Sequence, residues 1–157
     1  MRYHVLAVIL VVSASRVTLG APGLKEIRKP VDPPEGEWWV EKWELNGAVL
    51  QVREDRLTRL NWSVTLTKNK MVVITSGGPV SSGRRVTYYQ AGDVLGFDLS
   101  PDLGAADPKA LMKGIWKVEG DILLFCFGEP GGDRPTEFAA PKDSGRNLYT
   151  LKRKPKN

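Results

Sequence analysis

Histidine and cysteine, the side chains that most often carry nucleophilic and metal chemistry, are nearly missing from this sequence. His4 is the only histidine and Cys126 is the only cysteine. His4 lies in a segment with the pattern of a signal peptide, so the mature chain is expected to have no histidine. This excludes Ser-His-Asp and Cys-His nucleophile systems and almost every zinc or copper site. We therefore predict a protein that is not an enzyme and that uses no metal and no cofactor.

Two other side chains could do chemistry, and each has a structural alternative. Cys126 would need a nearby cation or a helix N-terminus to become reactive, and its place between two phenylalanines favours an inert buried thiol. Arg134 could hold a carboxylate or a phosphate in the fork of its guanidinium group. The structural alternative, which we favour, ties Arg134 to Asp133, to Glu137 or to loop carbonyls.

Aromatic side chains are the remaining candidates for binding. The chain has five tryptophans and four tyrosines, enough to line the inside of a barrel that holds one small apolar or amphipathic ligand. The alternative is that the same rings simply fill the interior. The residues predicted to form the ligand wall are Trp43, Trp62, Tyr88, Trp116 and Phe125, with Arg134 as a polar contact.

The elements that must position these side chains are short strands. Two apolar runs flank a turn at Glu119-Gly120-Asp121, and Gly120 can take the positive φ that a tight hairpin requires. The unbroken apolar run from Ile122 to Phe127 predicts a strand that is covered on both faces. Asn46-Gly47 predicts a second hairpin. With about eight short strands and no long amphipathic helix, the sequence predicts an all-β antiparallel barrel, with a β-sandwich as the alternative.

The ends of the chain differ in composition from its middle. We predict a signal peptide over residues 1–21, a proline-rich linker over 22–35, a β domain over 36–153 and a basic tail over 154–157. The apolar run from Val5 to Val12 is too short to span a bilayer, which needs about 20 residues. The expected location is therefore outside the cell, in the periplasm or in the cell envelope, with no membrane span after cleavage.

Charge does not indicate a nucleic-acid partner. The net charge of +5 falls to about +3 when the signal peptide is removed, and the excess lies largely in the tail, from Lys152 to Lys156. Nucleic-acid binding would require a basic face with interleaved aromatic residues. We expect instead that the tail is a solvated chain end.

Gly36-Glu37-Trp38, at the start of the first strand, together with Arg153 in the last strand, resembles the signature of lipocalins and other calycins. The resemblance implies that Trp38 plugs one end of the barrel and that Arg153 lies over its ring. Such a cation–π contact would join the first strand to the last. Both residues would then be structural.

A second resemblance covers residues 36–153 and is most specific in the last forty. The run from Gly114 to Phe127, then Arg134 to Phe138, then Leu148 to Arg153 is similar to an uncharacterised exported domain family expanded in Planctomycetes. Trp116 stands where members typically have tyrosine. The family has no established activity, so the resemblance implies a lipocalin-like exported fold and no chemistry.

Two functions are consistent with these observations. The first is a binding module that takes a small hydrophobic or amphipathic ligand inside the barrel. The second is a structural or protein-interaction module with a partner in the cell envelope. An enzyme is the last choice, because no spacing of carboxylate, Tyr or Lys residues marks an acid–base pair.

Overall fold

The structure is a computed structural model that describes residues 28–52, 62–75, 78–79, 83–100, 107 and 110–155. The predicted signal peptide and the first part of the predicted linker lie outside the described residues. Within these ranges every regular element is a β-strand. None of the described residues belongs to a helix with the length and hydrophobicity needed to cross a bilayer.

Eleven strands, numbered in chain order, form one sheet. Their bounds are β1 Lys29–Pro30, β2 Gly36–Leu45, β3 Ala48–Val52, β4 Ser63–Leu66, β5 Lys70–Thr75, β6 Gly78–Pro79, β7 Arg84–Ala91, β8 Val94–Leu99, β9 Met112–Glu119, β10 Ile122–Phe127 and β11 Asn147–Arg153.

Eight of these strands close on themselves. The order β7-β8-β9-β10-β11-β2-β4-β5 is antiparallel throughout, and β5 pairs again with β7 through Lys70↔Arg85 and Met71↔Arg84. A hydrogen bond of 2.9 Å from the Val86 N–H to the Asn69 carbonyl extends this seam. The predicted eight-stranded antiparallel barrel is therefore confirmed, and the alternative of a sandwich is not adopted. Strands β1, β3 and β6 pair with barrel strands but lie outside the closed ring.

The tight turns have the backbone conformations that their sequences favour. Asn46 and Gly47, which join β2 to β3, have φ values of 52° and 84°, as a type I′ turn requires. Gly120, the first of two residues between β9 and β10, has a φ of 62°. Glycine takes this conformation without the steric cost that a Cβ atom would bring. The hairpin of β9 and β10 therefore turns at Gly120, as the sequence predicts.

The two ends of the barrel are built differently. At one end, called here the turn end, residues 67–69, 92–93 and 120–121 make short connections between β4 and β5, β7 and β8, and β9 and β10. At the other, the loop end, strands β5, β8 and β10 end and strands β7, β9 and β11 begin. The connection 128–146 between β10 and β11 is described in full.

Part of the predicted linker is ordered at the turn end. Lys29 and Pro30 form β1, which pairs with Gln90 and Tyr89 of β7. The chain then runs to the start of β2, and on the way Val31 packs against the interior side chains. This segment therefore belongs to the wall and floor of the barrel.

Side chains alternate between the interior and the outer surface, as the pleat of a strand requires. On β10, Leu123, Phe125 and Phe127 join the interior cluster, whereas Cys126 points outwards. Cys126 belongs there to a second apolar cluster with Ile115 of β9 and Leu148 of β11. Ala140 and Phe138 of the connection 128–146 cover this cluster. The unbroken apolar run of β10 is thus explained by burial on both of its faces.

Candidate functional site

The barrel wall has a gap between β8 and β9. These strands pair from Leu99↔Met112 to Gly96↔Ile115, and the pairing ends there. Beyond this point β8 stays paired with β7 as far as Val94. Strand β9 stays paired with β10 as far as Glu119. The two strands therefore separate towards the turn end and leave an opening in the wall.

A cleft of about 410 Å³ lies at this opening. Its volume falls within the range of small-molecule sites, roughly 300–1,000 Å³. Asp93, Lys117 and Arg134 supply charged groups to its lining. Most of the other side chains that line it are apolar, namely Val94, Leu95, Ile115, Trp116, Pro135 and Phe138.

Two buried hydrogen-bond donors lack partners among the described residues, one on a side chain that lines the cleft and one on the ring packed behind it. Trp116 lines the cleft, and its ring meets the ring of Tyr88 edge-on with the centroids 6.0 Å apart. Within the described part of the chain, neither Trp116 Nε1 nor Tyr88 Oη has a hydrogen-bond partner, although both atoms are buried. A buried polar group without a partner costs about 1–3 kcal/mol. A ligand that brings an acceptor would recover this energy.

The phenol of Tyr88 is held in its neutral, donating form. Burial raises the pKa of Tyr88 far above its usual value, and the negative charge of Glu35 raises it further. An indole N–H is a donor only. The aromatic pair of Trp116 and Tyr88 therefore carries donors and no negative charge.

Arg134 lines the cleft, but its guanidinium group binds the wall. Nη1 donates to the carbonyls of Phe97 (2.9 Å) and Gly114 (2.6 Å), and Nη2 donates to Asp98 (2.8 Å). The guanidinium carbon also lies 5.0 Å from the ring centroid of Tyr89. These contacts correspond to the structural alternative, although the partners are wall carbonyls and Asp98 rather than Asp133 or Glu137. Arg134 shapes the cleft by fixing the segment that forms one side of it.

The other predicted ligand-wall residues lie elsewhere in the barrel. Phe125 is buried in the interior and stacks on Phe97 with centroids 3.8 Å apart. Trp43 and Trp62 lie towards the loop end, where their rings are 5.2 Å apart. The structure thus brings Tyr88 and Trp116 together and places Trp43 and Trp62 in a separate group.

Trp38 and Arg153, the first and last strand residues predicted to be structural, are in contact. The guanidinium carbon of Arg153 is 4.1 Å from the ring centroid of Trp38, and its Nη1 donates to the Glu35 carbonyl (3.1 Å). Trp38 is fully buried and donates from Nε1 to the Pro34 carbonyl (3.0 Å). A second cleft of about 960 Å³ lies beside this contact, between Trp39, Thr65 and Lys154.

Cys126 is a buried thiol held away from solvent. Burial raises its pKa, and the thiol donates a weak hydrogen bond to the Ala139 carbonyl at 3.5 Å. A raised pKa disfavours the thiolate, which is the nucleophilic form. Among the described residues, no group of three or more His, Cys, Asp and Glu side chains is arranged to hold a metal ion.

Sequence reasoning missed three residues that the structure makes prominent. Tyr89 lies on the outer face between the guanidinium groups of Arg28 and Arg134, and Asp98 accepts hydrogen bonds from both arginines. Only the strand register brings these groups together. Arg84 faces the interior, and the alternation Arg84-Val86-Tyr88 was a signal that could have found it.

A scan of protein-family models gave no match to this chain, and searches of curated proteins and of solved structures gave none either.

Proposed function

We propose that this protein is an exported, lipocalin-like domain that binds a small apolar or amphipathic molecule and catalyses no reaction. The observation that carries the proposal is the cleft of about 410 Å³ between β8 and β9, which Trp116 lines. The indole N–H of Trp116 and the hydroxyl of Tyr88, whose ring packs against Trp116, have no hydrogen-bond partner among the described residues. An apolar cleft with a few convergent polar groups is the usual form of a small-molecule site.

The chemistry of the cleft defines the ligand further. Its walls suit an apolar body, and an indole N–H with a neutral phenol suits one or two acceptor oxygens such as those of a carbonyl, ester or ether. The ligand would enter through the wall of the barrel at the β8–β9 opening. This differs from the expectation of a ligand surrounded by Trp43, Trp62 and Phe125.

Export and family membership are part of the same proposal. Support for export comes from the signal-peptide pattern of residues 1–21. Support for the family comes from the resemblance in residues 114–153 and from the closed barrel that the resemblance implied. A secreted binding module needs no histidine, metal or cofactor, which agrees with the composition.

The test is a titration of the full chain with fatty acids, retinoids and haem, followed by tryptophan fluorescence and by calorimetry. We expect at least one of these compounds to bind. Tyr88→Phe and Trp116→Phe keep an aromatic ring and remove one donor each, so each should weaken binding about 5- to 10-fold, the value of one hydrogen bond. Trp39→Phe, on the outer surface, should leave the affinity unchanged.

The ligand-free proteins provide an independent readout. Because the hydroxyl of Tyr88 has no partner among the described residues, Tyr88→Phe should leave the stability of the free protein equal or higher while binding weakens. If no compound in the panel binds, or if the two donor variants bind as tightly as the parent, the rings are core residues and the proposal fails.

Strand β3 supports a second candidate, a protein-interaction module of the cell envelope. Among the described strands β3 pairs only with β2, and its Val49 and Leu50 are 52% and 49% exposed. Such an edge can pair with a strand of another protein. A photo-cross-linking residue at Val49 should then capture an envelope protein that the same residue at exposed Val118 does not. Equal labelling from both positions would remove this candidate.

A further inference from the structure

Arg84 points into the barrel. It is the first residue of β7, where the following alternate residues Val86 and Tyr88 belong to the interior cluster. Its Nη1 donates to the sulfur of Met112, an interior residue of β9, at 3.4 Å. The side chain therefore places a positive charge inside the loop end of the barrel.

The charge of Arg84 has no anionic partner in the part of the chain that the structure describes. A thioether sulfur is a weak acceptor, and no carboxylate of the described residues forms an ion pair with this guanidinium. Three other arginines do form such pairs: Arg28 and Arg134 with Asp98, and Arg146 with Glu137. A partly buried cation without an anion loses hydration that nothing repays. An anion that enters the barrel would supply that partner.

Aromatic rings form a platform in the same region. Trp43 stacks on Tyr149 with centroids 5.5 Å apart and an interplanar angle of 14°, and Trp62 lies 5.2 Å from Trp43. Trp43 Nε1 donates to Asn147, whereas the buried Trp62 Nε1 has no partner among the described residues. Tyr149 lies close enough to Arg84 to feel its charge. Burial raises the pKa of Tyr149, and the positive charge of Arg84 opposes that rise.

We propose that the loop end of the barrel is an anion-binding site in which Arg84 pairs with the carboxylate of an aromatic or long-chain acid whose apolar body lies against Trp43, Trp62 and Tyr149. A guanidinium group and a carboxylate match in a two-bond fork. The unpartnered N–H of Trp62 provides a further donor for the same ligand. This site is separate from the cleft between β8 and β9 and does not depend on it.

The test compares two charged ligands with their neutral counterparts on the full chain. Naphthalene-2-carboxylate is paired with naphthalene-2-carboxamide, and dodecanoate with methyl dodecanoate, and binding is measured by calorimetry. We expect at least one acid to bind 10-fold or more tightly than its neutral counterpart. Arg84→Leu should abolish this preference, and Arg84→Lys should keep only part of it, because lysine retains the charge and loses the fork.

Arg85→Leu is the matched control, because Arg85 is the next residue of the same strand and is exposed on the outer face. It should keep the full preference for the acid. Trp116→Phe should also keep it, which distinguishes this site from the cleft. Equal binding of acid and neutral compound by the parent protein would overturn the proposal. The proposal would also be overturned if Arg84→Leu and Arg85→Leu reduced the preference for the acid equally, or if neither acid bound.

Discussion

At the scale of single residues, stability depends on where the polar part of each aromatic side chain finds a partner. Trp38 has a partner for both its ring and its N–H group. Arg153 lies over the ring, and the N–H donates to the Pro34 carbonyl. Tyr88, Trp116 and Trp62 each leave a buried donor unpartnered among the described residues. In these three residues the burial of the ring stabilises the fold, and the unpartnered donor offsets part of that gain.

Replacing Trp38 by Ala should lower the free energy of unfolding by about 3–5 kcal/mol, as large truncations of fully buried side chains do. The cavity would lie where the first and last strands meet, and Arg153 would lose its ring. Urea unfolding measures the change. The neighbouring Trp39 is half-buried, so Trp39→Ala should lower the free energy of unfolding clearly less. A loss below about 0.5 kcal/mol in Trp38→Ala would contradict its role as the plug.

At the scale of elements, the connection 128–146 covers the outer face of β9, β10 and β11. Ala140 and Phe138 cover Cys126 and its neighbours, and Arg134 fastens the segment to the carbonyls of β8 and β9. The same arginine forms an ion pair with Asp98, which also holds Arg28. Arg134 therefore fastens the connection 128–146 to the wall at the place where β8 and β9 begin to separate. Through Asp98 it also shares a carboxylate with Arg28, the residue before β1.

Replacing Arg134 by Met should lower the free energy of unfolding by about 2–4 kcal/mol, because it removes several charge-assisted hydrogen bonds to partly buried acceptors. Arg146→Met is the matched control on the same connection. Its ion pair with the exposed Glu137 spans 3.6 Å and should be worth about 0–1 kcal/mol. Urea unfolding compares the two variants. Similar losses for both would show that Arg134 is not a clamp.

At the scale of the whole molecule, closure of the sheet gives the barrel two unlike ends and leaves a gap between β8 and β9. Short turns and the segment from Lys29 to Glu35 occupy the turn end, whereas the inward-facing Arg84 belongs to the loop end. The interior between them holds stacked rings such as Phe97 and Phe125. The two proposed binding regions lie on either side of this packed layer.

Burial of two phenols predicts how stability depends on pH. The pKa of Tyr149 is raised to about 12 and that of Tyr88 is raised further, in both cases chiefly by burial. The unfolded chain releases these protons near pH 10 while the folded protein keeps them. Stability should therefore be unaffected by these groups below about pH 9 and should fall above pH 10, by up to about 1.4 kcal/mol per pH unit for each phenol.

Urea unfolding at intervals between pH 8 and pH 11.5 measures this slope. Tyr88→Phe and Tyr149→Phe should each reduce the slope above pH 10, and the double variant should reduce it further. An unchanged slope in both interior variants would show that these phenols are not protected in the folded protein.

The fold was accessible from the sequence because its signals are local. Gly120 and Asn46-Gly47 set the turns, alternation set the faces of the strands, and the apolar run of β10 indicated burial on both sides. The pairing of Trp38 with Arg153 followed from a resemblance rather than from any local pattern.

Only the tertiary structure decided which side chains, far apart in the chain, come into contact. The gap between β8 and β9, the meeting of Tyr88 with Trp116 and the place of Arg84 opposite Met112 all depend on strand register and on the tilt of a closed barrel. Alternation assigns a residue to a face but not to a neighbour, because register is fixed by contacts between strands far apart in the chain. The sequence therefore determined the barrel and its turns, and the tertiary packing decided where a ligand can bind.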